Sequence, residues 1–298
     1  EESLIMADAI KQAVAELLPQ AQAFLTDIMK FPSTPGQEHE EMLFIEQAFK
    51  KLPNVKVERV DLHDTIKQDP DYCDPVPDIK YDGRFNLRVE LKGTGDGKKL
   101  LFNAHTDAVP ASEGMTEAWN PRLIDGCLYG RGASDDKGQV AVFYLICLVA
   151  GKLGLSFKGD VVGHLVNEEE NGGNGSLAMA RTGEKADACV VLEPTDERIL
   201  TEIRGAVWFK VLFKGVAGHS GQAGLTKSAL LLAHQGITAL SKYHDDLLDA
   251  SRGFPLFDPY PNPMPITFGK LHAGNWPAAA PNKAVLEGVL GFLPNKTK

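Results

Sequence analysis

Cysteine is scarce: Cys73, Cys127, Cys147 and Cys189 are the four in 298 residues, and none sits in a CxxC pair. That spacing excludes a thiolate zinc cluster and a dithiol redox motif. Isolated thiols fit a reducing compartment. No apolar run approaches the roughly 18 residues of a membrane span, so no membrane partner is expected. No basic tract interrupts the acidic surplus of 40 Asp and Glu over 31 Lys and Arg, a net charge of −9. Nucleic acid is therefore excluded as an expected partner. The opening, EESLIMADAIKQ, has neither a basic n-region nor an apolar h-region, and a cytoplasmic location is the expectation. Internal repeats and low-complexity tracts are also lacking. Gly218-His219-Ser220-Gly221 is not a GxSxG elbow, which excludes that route to serine hydrolysis. Gly93 to Lys98 lacks the full spacing of a P-loop.

What is present is an ordinary globular composition, 43% hydrophobic and 24% charged. A chain this long can bury a core without staples and suggests one large domain or two smaller ones. Ala7 to Lys30 has helical spacing (Ile10, Val14, Leu17, Ala21, Leu25, Ile28), with Pro19 expected to kink or divide it. Glu38 to Leu52 reads as a second amphipathic helix, Val55 to Val60 as a strand, and Asp61 to Asp82 as a long surface loop. Asn86–Leu91 and Lys99–Ala104 read as strands around the turn Gly93–Gly97. A helix over Lys137–Leu153, a strand over Val161–Asn167, a short helix over Gly175–Arg181 and a buried strand over Ala188–Leu192 follow. This alternation predicts an α/β fold with much parallel pairing, whose sites form beyond the carboxyl ends of strands. After about Arg204 the pattern becomes β-α-β-β, with a Pro-rich loop from Phe254 to Pro265. Residues 1–204 and 205–298 are the expected domains, the second a small antiparallel sheet plus helix.

Acidic and imidazole groups recur where predicted strands end. His105 follows FNA, Asp135 lies in the loop GRGASDDKG, Glu169 and Glu170 follow HLVN, and Glu193 follows CVVL. Singly, each has a bland reading. His105 could be a hydrogen-bonded structural histidine, and the triple glutamate a solvated turn. Asp135-Asp136 could cap the following helix, and Glu193 could simply end its strand. Together they share one strand-end logic. Carboxylates gathered at one pole of a sheet repel unless neutralised, and an imidazole among them suits zinc or a similar divalent cation.

These residues fall in five ordered motifs: His105-Thr106-Asp107; Leu128 to Gly138; Glu168 to Ser176; Glu193-Pro194-Thr195; and Gly218-His219-Ser220. In that order the chain resembles, over nearly its whole length, the dinuclear zinc amidohydrolases. That family includes aminoacylases, acetylornithine deacetylase, succinyl-diaminopimelate desuccinylase and the glutamate carboxypeptidases. The resemblance implies a zinc-exopeptidase-like catalytic domain with a mixed, largely parallel sheet, plus a smaller α+β lid that pairs two subunits into a homodimer. It implies two zinc ions per subunit, with cobalt or manganese as substitutes. His105 and Glu193 become terminal ligands of one ion, Asp135 the bridging carboxylate and Glu170 a ligand of the other ion. Asp107 becomes the partner that fixes the His105 tautomer. In the family the peptide after the bridging aspartate is cis. Alignment on Gly172-Gly173-Asn174-Gly175 makes Glu169 the general base and puts Glu168 where the family usually has aspartate. His219 becomes an oxyanion donor reaching across a dimer interface. The implied reaction is hydrolysis of the amide bond of an N-acyl amino acid or small peptide.

Two departures stand out. The family supplies a further histidine near its C-terminus, and this chain has no candidate: His272 lies inside the second domain. The resemblance thus implies that the last part of the catalytic domain is missing. Ala278 stands where many relatives carry an asparagine that can contact substrate. Trp276-Pro277 and Leu286-Glu287-Gly288 look like the acetylornithine-deacetylase-related branch. The rival reading is a non-catalytic relative that acts as a binding protein with an incomplete metal site.

Overall fold

A computed structural model describes residues 2–74, 78–222 and 224–295. Residues 75–77 of the 61–82 segment and 296–298 of the C-terminus lie outside the described residues. The chain forms two compact units that divide between Glu197 and Arg198.

The first unit opens with α1 (Glu2–Ile28) and α2 (His39–Lys50). There follow β1 (Val55–Asp61), β2 (Phe85–Leu91), β3 (Leu100–His105) and a hairpin of β4 (Arg122–Ile124) with β5 (Cys127–Tyr129). Then come α3 (Lys137–Lys152), β6 (Val161–Val166), α4 (Asn174–Arg181) and β7 (Ala188–Val191). The sheet order is β1-β2-β6-β3-β7. β3 runs parallel to β6 and to β7, whereas the β1–β2 and β2–β6 pairs are antiparallel. The sheet is therefore mixed, with the parallel part confined to the strands that end on the candidate ligands.

Strand alternation separates the two faces. Leu87, Val89, Leu91 and Leu165 join Phe24, Phe49, Val140 and Phe143 in the main core, so α1, α2 and α3 cover one face. Phe24 stacks on Tyr144 at 4.3 Å between ring centroids, fixing α1 against α3. Gly163 permits a close approach of α3 to the sheet: a β-carbon there would meet the Phe143 ring at 2.2 Å. The opposite face is polar and carries α4. There Asn86 Nδ2 donates to Gly175 O at 2.9 Å, and His164 and Arg88 meet Glu184.

Three sequence expectations are corrected by the structure. Pro19 does not divide α1, which is continuous. Pro19 and Ala15 are exposed, so the carbonyl left without a donor faces water, and packing on α3 holds the helix. The strands read on either side of the Gly93–Gly97 turn are both present but do not pair with each other, because β6 lies between β2 and β3. That turn instead pairs with a later one: Thr94 N donates to Phe157 O at 2.9 Å, and Gly97 N to Lys158 O at 3.1 Å. β7 is not buried. All four of its residues are exposed, since among the described residues β7 is bonded to β3 alone. Finally, the 61–82 segment is not merely a surface loop. Leu62, Ile79 and Tyr81 are buried in a small core of their own.

The second unit contains β8 (Gly205–Lys214), β9 (Gly218–His219), α5 (Ala229–Ala250), β10 (Ile266–Ala273), β11 (Ala279–Ala280) and β12 (Lys283–Phe292). β10-β12-β8 is a fully antiparallel sheet. Ala229 and Ala233 of α5 pack with Ala284 of β12, which is the α+β arrangement expected from the sequence. Among the described residues, no helix is long and apolar enough to cross a membrane.

Candidate metal centre

The parallel strands β6, β3 and β7 bring their carboxyl ends to one pole. His105 is opposite Val166, and Asn103 is opposite Val191. The residues just beyond these ends, Asp107, Glu168–Glu170 and Glu193, therefore leave the sheet side by side. Asn86 holds the β6 end: its Oδ1 accepts from Asn167 N at 3.0 Å, and Asn167 Nδ2 donates to Phe85 O at 2.9 Å.

His105 is 2% exposed. Its Nδ1 lies 2.9 Å from the main-chain carbonyl of Asp107, an atom that can only accept. The proton therefore sits on Nδ1, and in the neutral ring Nε2 is left as a lone-pair donor facing the site. Nε2 lies 3.0 Å from Asp135 Oδ1 and 3.9 Å from Glu169 Oε2. The Asp107 carboxylate does something the sequence did not suggest. Oδ1 accepts the N–H of Glu169 at 3.0 Å and Oδ2 that of Glu170 at 3.1 Å. One buried carboxylate thereby fixes the backbone of both glutamates.

The Asp135–Asp136 peptide is cis. Asp136 occupies the N-cap position of α3 without a side-chain capping bond. Its Oδ2 instead accepts the His105 backbone N–H at 3.0 Å, while Oδ1 is buried with no hydrogen-bond partner among the described residues. Behind it, the fully buried Lys137 donates to the carbonyls of Ile28 at 2.9 Å and Phe31 at 2.8 Å and faces Glu41 Oε1 at 3.3 Å. Neither Asp136 as a possible ligand nor the Lys137–Glu41 pair was among the sequence candidates. The Asp-Asp-Lys run was the available signal, but it reads equally well as a cap.

One ligand atom each from His105, Asp135, Asp136 and Glu193 lies within 4.8 Å of the others. Glu170 is outside that group, though its carboxyl feels Asp135 strongly. The donor set fits a divalent cation because the site is short of positive charge. Burial, reinforced by Asp135, pushes Glu170 up to about 7. Burial pushes Glu193 up to about 7, with Glu169 and Asp135 adding to it and His105 opposing. Burial likewise raises Asp136 to about 9 against the pull of His105. For His105, burial opposes the charge, but Asp107 and Asp135 outweigh it and raise the imidazole to about 12. Oxygen and imidazole donors at this spacing are the ligand set of zinc and similar ions.

His219 belongs to the second unit, exposed at the end of β9, where it pairs with Ala279 of β11. Gly221 N donates to its Nδ1 at 3.2 Å, so the neutral ring carries its proton on Nε2. His272 lies on β10 opposite Val285, in the same unit.

Residues 101–284 match the family described as Peptidase family M20/M25/M40. A succinyl-diaminopimelate desuccinylase from Ralstonia nicotianae is 36% identical over 179 residues, covering 54% of this chain and 45% of the relative. The chain spans about half the length of the curated relatives it matches. The fold resembles the di-peptidase Dug1p from Saccharomyces cerevisiae, with a TM-score of 0.74 at 15% identity, covering 98% of this chain and 73% of that one. It also resembles the Bacillus subtilis YXEP protein, described as a dinuclear metal binding peptidase, with a TM-score of 0.53 at 15% identity, covering 96% and 66%.

Proposed function

The chain belongs to the peptidase family M20/M25/M40, and from that membership we propose that it forms the metal-binding part of a zinc-dependent amidohydrolase. The substrate is an N-acyl amino acid or a small peptide. A succinyl-amino acid of the kind named in the desuccinylase relatives and a dipeptide are the two forms to test first. The observation that carries the reading is the convergence of His105, Asp135, Asp136 and Glu193 within 4.8 Å.

In this reading His105, Asp135 and Glu193 hold one ion, and Glu170 with Asp135 faces the neighbouring position. Bound zinc would supply Lewis acidity and a water of lowered pKa. Asp107 holds the His105 proton on Nδ1 through its carbonyl and aims the two glutamates through its carboxylate. Glu169 is the base. Burial raises its carboxyl, with Asp107 and Asp135 adding and His105 opposing, so it can accept a proton from water and return it to the leaving amine. His219, with its proton on Nε2, is the donor to the developing oxyanion, supplied by the second unit of a partner copy in a homodimer. Residues 205–298 are the lid in this scheme. The reducing compartment suggested by four free thiols makes the cytoplasm the proposed location.

The test is metal analysis of the purified protein together with a hydrolysis screen over succinyl-diaminopimelate, N-acetylated amino acids and dipeptides. Zinc bound through His105, with turnover of an acylated amino acid or dipeptide, is the expected result. Stoichiometric zinc without hydrolysis would favour the non-catalytic reading, and no metal uptake would end the hydrolase reading.

A further inference from the structure

The turn that carries Glu169 and Glu170 is an unusual piece of chain. Glu168 has φ +63, Gly172 φ +132 and Gly173 φ +76, so one non-glycine and two glycines sit in left-handed territory within six residues. Internal bonds close it: Gly173 N donates to Glu168 O at 2.9 Å, and Gly172 N to Glu169 O at 3.1 Å. A left-handed glutamate persists only where its surroundings over-determine it. From the front, the Asp107 carboxylate binds the Glu169 and Glu170 amides.

From behind, the support comes from far away in sequence. Asn174 is 1% exposed and opens α4. Its Oδ1 accepts Cys73 N at 3.0 Å, and its Nδ2 donates to Cys73 O at 2.8 Å, so the side-chain amide pairs with one residue's backbone as a strand neighbour would. The same Nδ2 reaches Glu168 Oε1 at 3.0 Å and the Tyr81 hydroxyl at 3.1 Å. Glu168 is fully buried, and the two glutamates that follow it are not. Tyr81 is fully buried in the small core with Leu62 and Ile79, and its hydroxyl meets that of Tyr72 at 3.2 Å. Cys73 also lies flat on the turn: a β-carbon on Gly172 would meet Cys73 Sγ at 2.8 Å.

We propose that Glu168 and Asn174 are positioning residues, and that the 61–84 excursion, through Cys73 and Tyr81, is the tether that holds the Glu169–Glu170 turn in its working shape. Glu168 touches no reacting atom. It turns inward so that the next two carboxylates are held outward. The excursion's own core supplies the rigidity, and Asn174 transmits it. The role in catalysis rests on the reading of Glu169 and Glu170 as base and ligand, whereas the mechanical role does not.

The test uses Asn174→Ala, and Tyr81→Phe as a milder second variant, in metal-free and zinc-loaded protein. In the metal-free state, hydrogen exchange of the Glu169–Gly173 amides and alkylation of Cys73, read by peptide mass spectrometry, should each rise at least about 10-fold in Asn174→Ala. Exchange at β2 and β6 should stay unchanged, which shows that the unit remains folded. Zinc affinity should fall about 10- to 100-fold, the usual loss when support behind a ligand is removed. Glu168→Asp, which keeps the buried acceptor, should recover affinity relative to Glu168→Ala. Should Asn174→Ala unfold the unit, the same exchange and alkylation changes, smaller in size, are expected in Tyr81→Phe. Faster Cys73 alkylation with unchanged exchange at Glu169–Gly173 would overturn the proposal, because the excursion would then cover the turn without holding it. A wild-type protein that takes up no zinc would sink the hydrolase reading, and the metal-free exchange would still decide the tether.

Discussion

Replacing Lys137 by methionine probes the anchor beneath the candidate centre. The ammonium is fully buried, donates to two carbonyls at 2.9 and 2.8 Å, and faces Glu41 at 3.3 Å. Methionine keeps most of the stem's volume and removes the charge. Glu41 then loses its counter-charge, and the carbonyls of Ile28 and Phe31 lose their donor. Breaking one side of a buried ion pair costs ~3–5 kcal/mol, and that is the expected loss above about pH 7, where Glu41 is ionised in the wild type. Replacing both partners, Lys137→Met with Glu41→Leu, removes the stranded carboxyl but leaves the two carbonyls, at ~1 kcal/mol each. The double variant should therefore sit only ~2 kcal/mol below wild type. The sign of the pH dependence follows from Glu41. Burial raises it from 4.5 to about 7 even with Lys137 opposing. An acid whose folded pKa is raised contributes stability below its unfolded value and loses it as pH rises to the folded value. Without Lys137 the folded value moves higher, so the single variant's deficit widens above about pH 7, by up to ~1.4 kcal/mol per pH unit. The double variant should show no such widening. Urea unfolding of the metal-free protein reads this out through Trp119, whose ring lies 5.5 Å from Lys137 Nζ. Trp208→Phe and Trp276→Phe silence the second unit's tryptophans. A single-variant loss under ~1 kcal/mol, or a double variant no better than the single, would refute the reasoning.

Glu169→Gln should leave zinc content intact and lower turnover by about 10²–10⁴-fold, while Glu170→Gln should also lower zinc occupancy. Metal analysis beside rates checks this, and the reverse pattern would mean that the triple glutamate is read one residue out of register. The melting temperature of the metal-free protein should fall as pH rises from about 4.5 toward about 9. Glu38, Glu41 and Asp136 are held protonated by burial, to about 8, about 7 and about 9, and the folded state binds more protons than the unfolded chain across that window. Zinc should flatten or reverse the trend, measured by calorimetry with and without metal; a metal-free melting temperature that rises over this range would contradict it. His219→Ala should cut turnover without changing zinc content. Mixing it with His105→Ala should recover part of the activity through heterodimers, assayed after confirmed subunit exchange, and no recovery would leave His219 as a surface turn residue.

Much of this was legible along the chain. The apolar spacing of α1, α2 and α3 and the strand-end positions of His105, Glu169, Glu170 and Glu193 are local properties. A strand that ends at a site must end in sequence as well as in space. The antiparallel second unit was equally readable, because its long strands alternate between covered and exposed residues. Pairing partners were not legible. The Gly93–Gly97 turn suits a hairpin, and only tertiary structure decides that β6 comes between its flanking strands. Burial of β7 was misread for the same reason: an apolar run shows that a strand can be covered, not which neighbours cover it.

The sequence by itself determined which chemistry is possible, because ligand types and their order are written in the motifs and need no coordinates. Only the tertiary structure decided how that chemistry is held. Asp107 binds two amides some sixty residues away, Asp136 takes the His105 amide rather than a helix cap, and Asn174 grips Cys73 across about a hundred residues. Such contacts leave no periodicity and no spacing. A polar side chain reads the same whether it faces water or a buried amide, and folding makes the difference by removing the water, so that an unpaired group becomes costly and a partner becomes necessary.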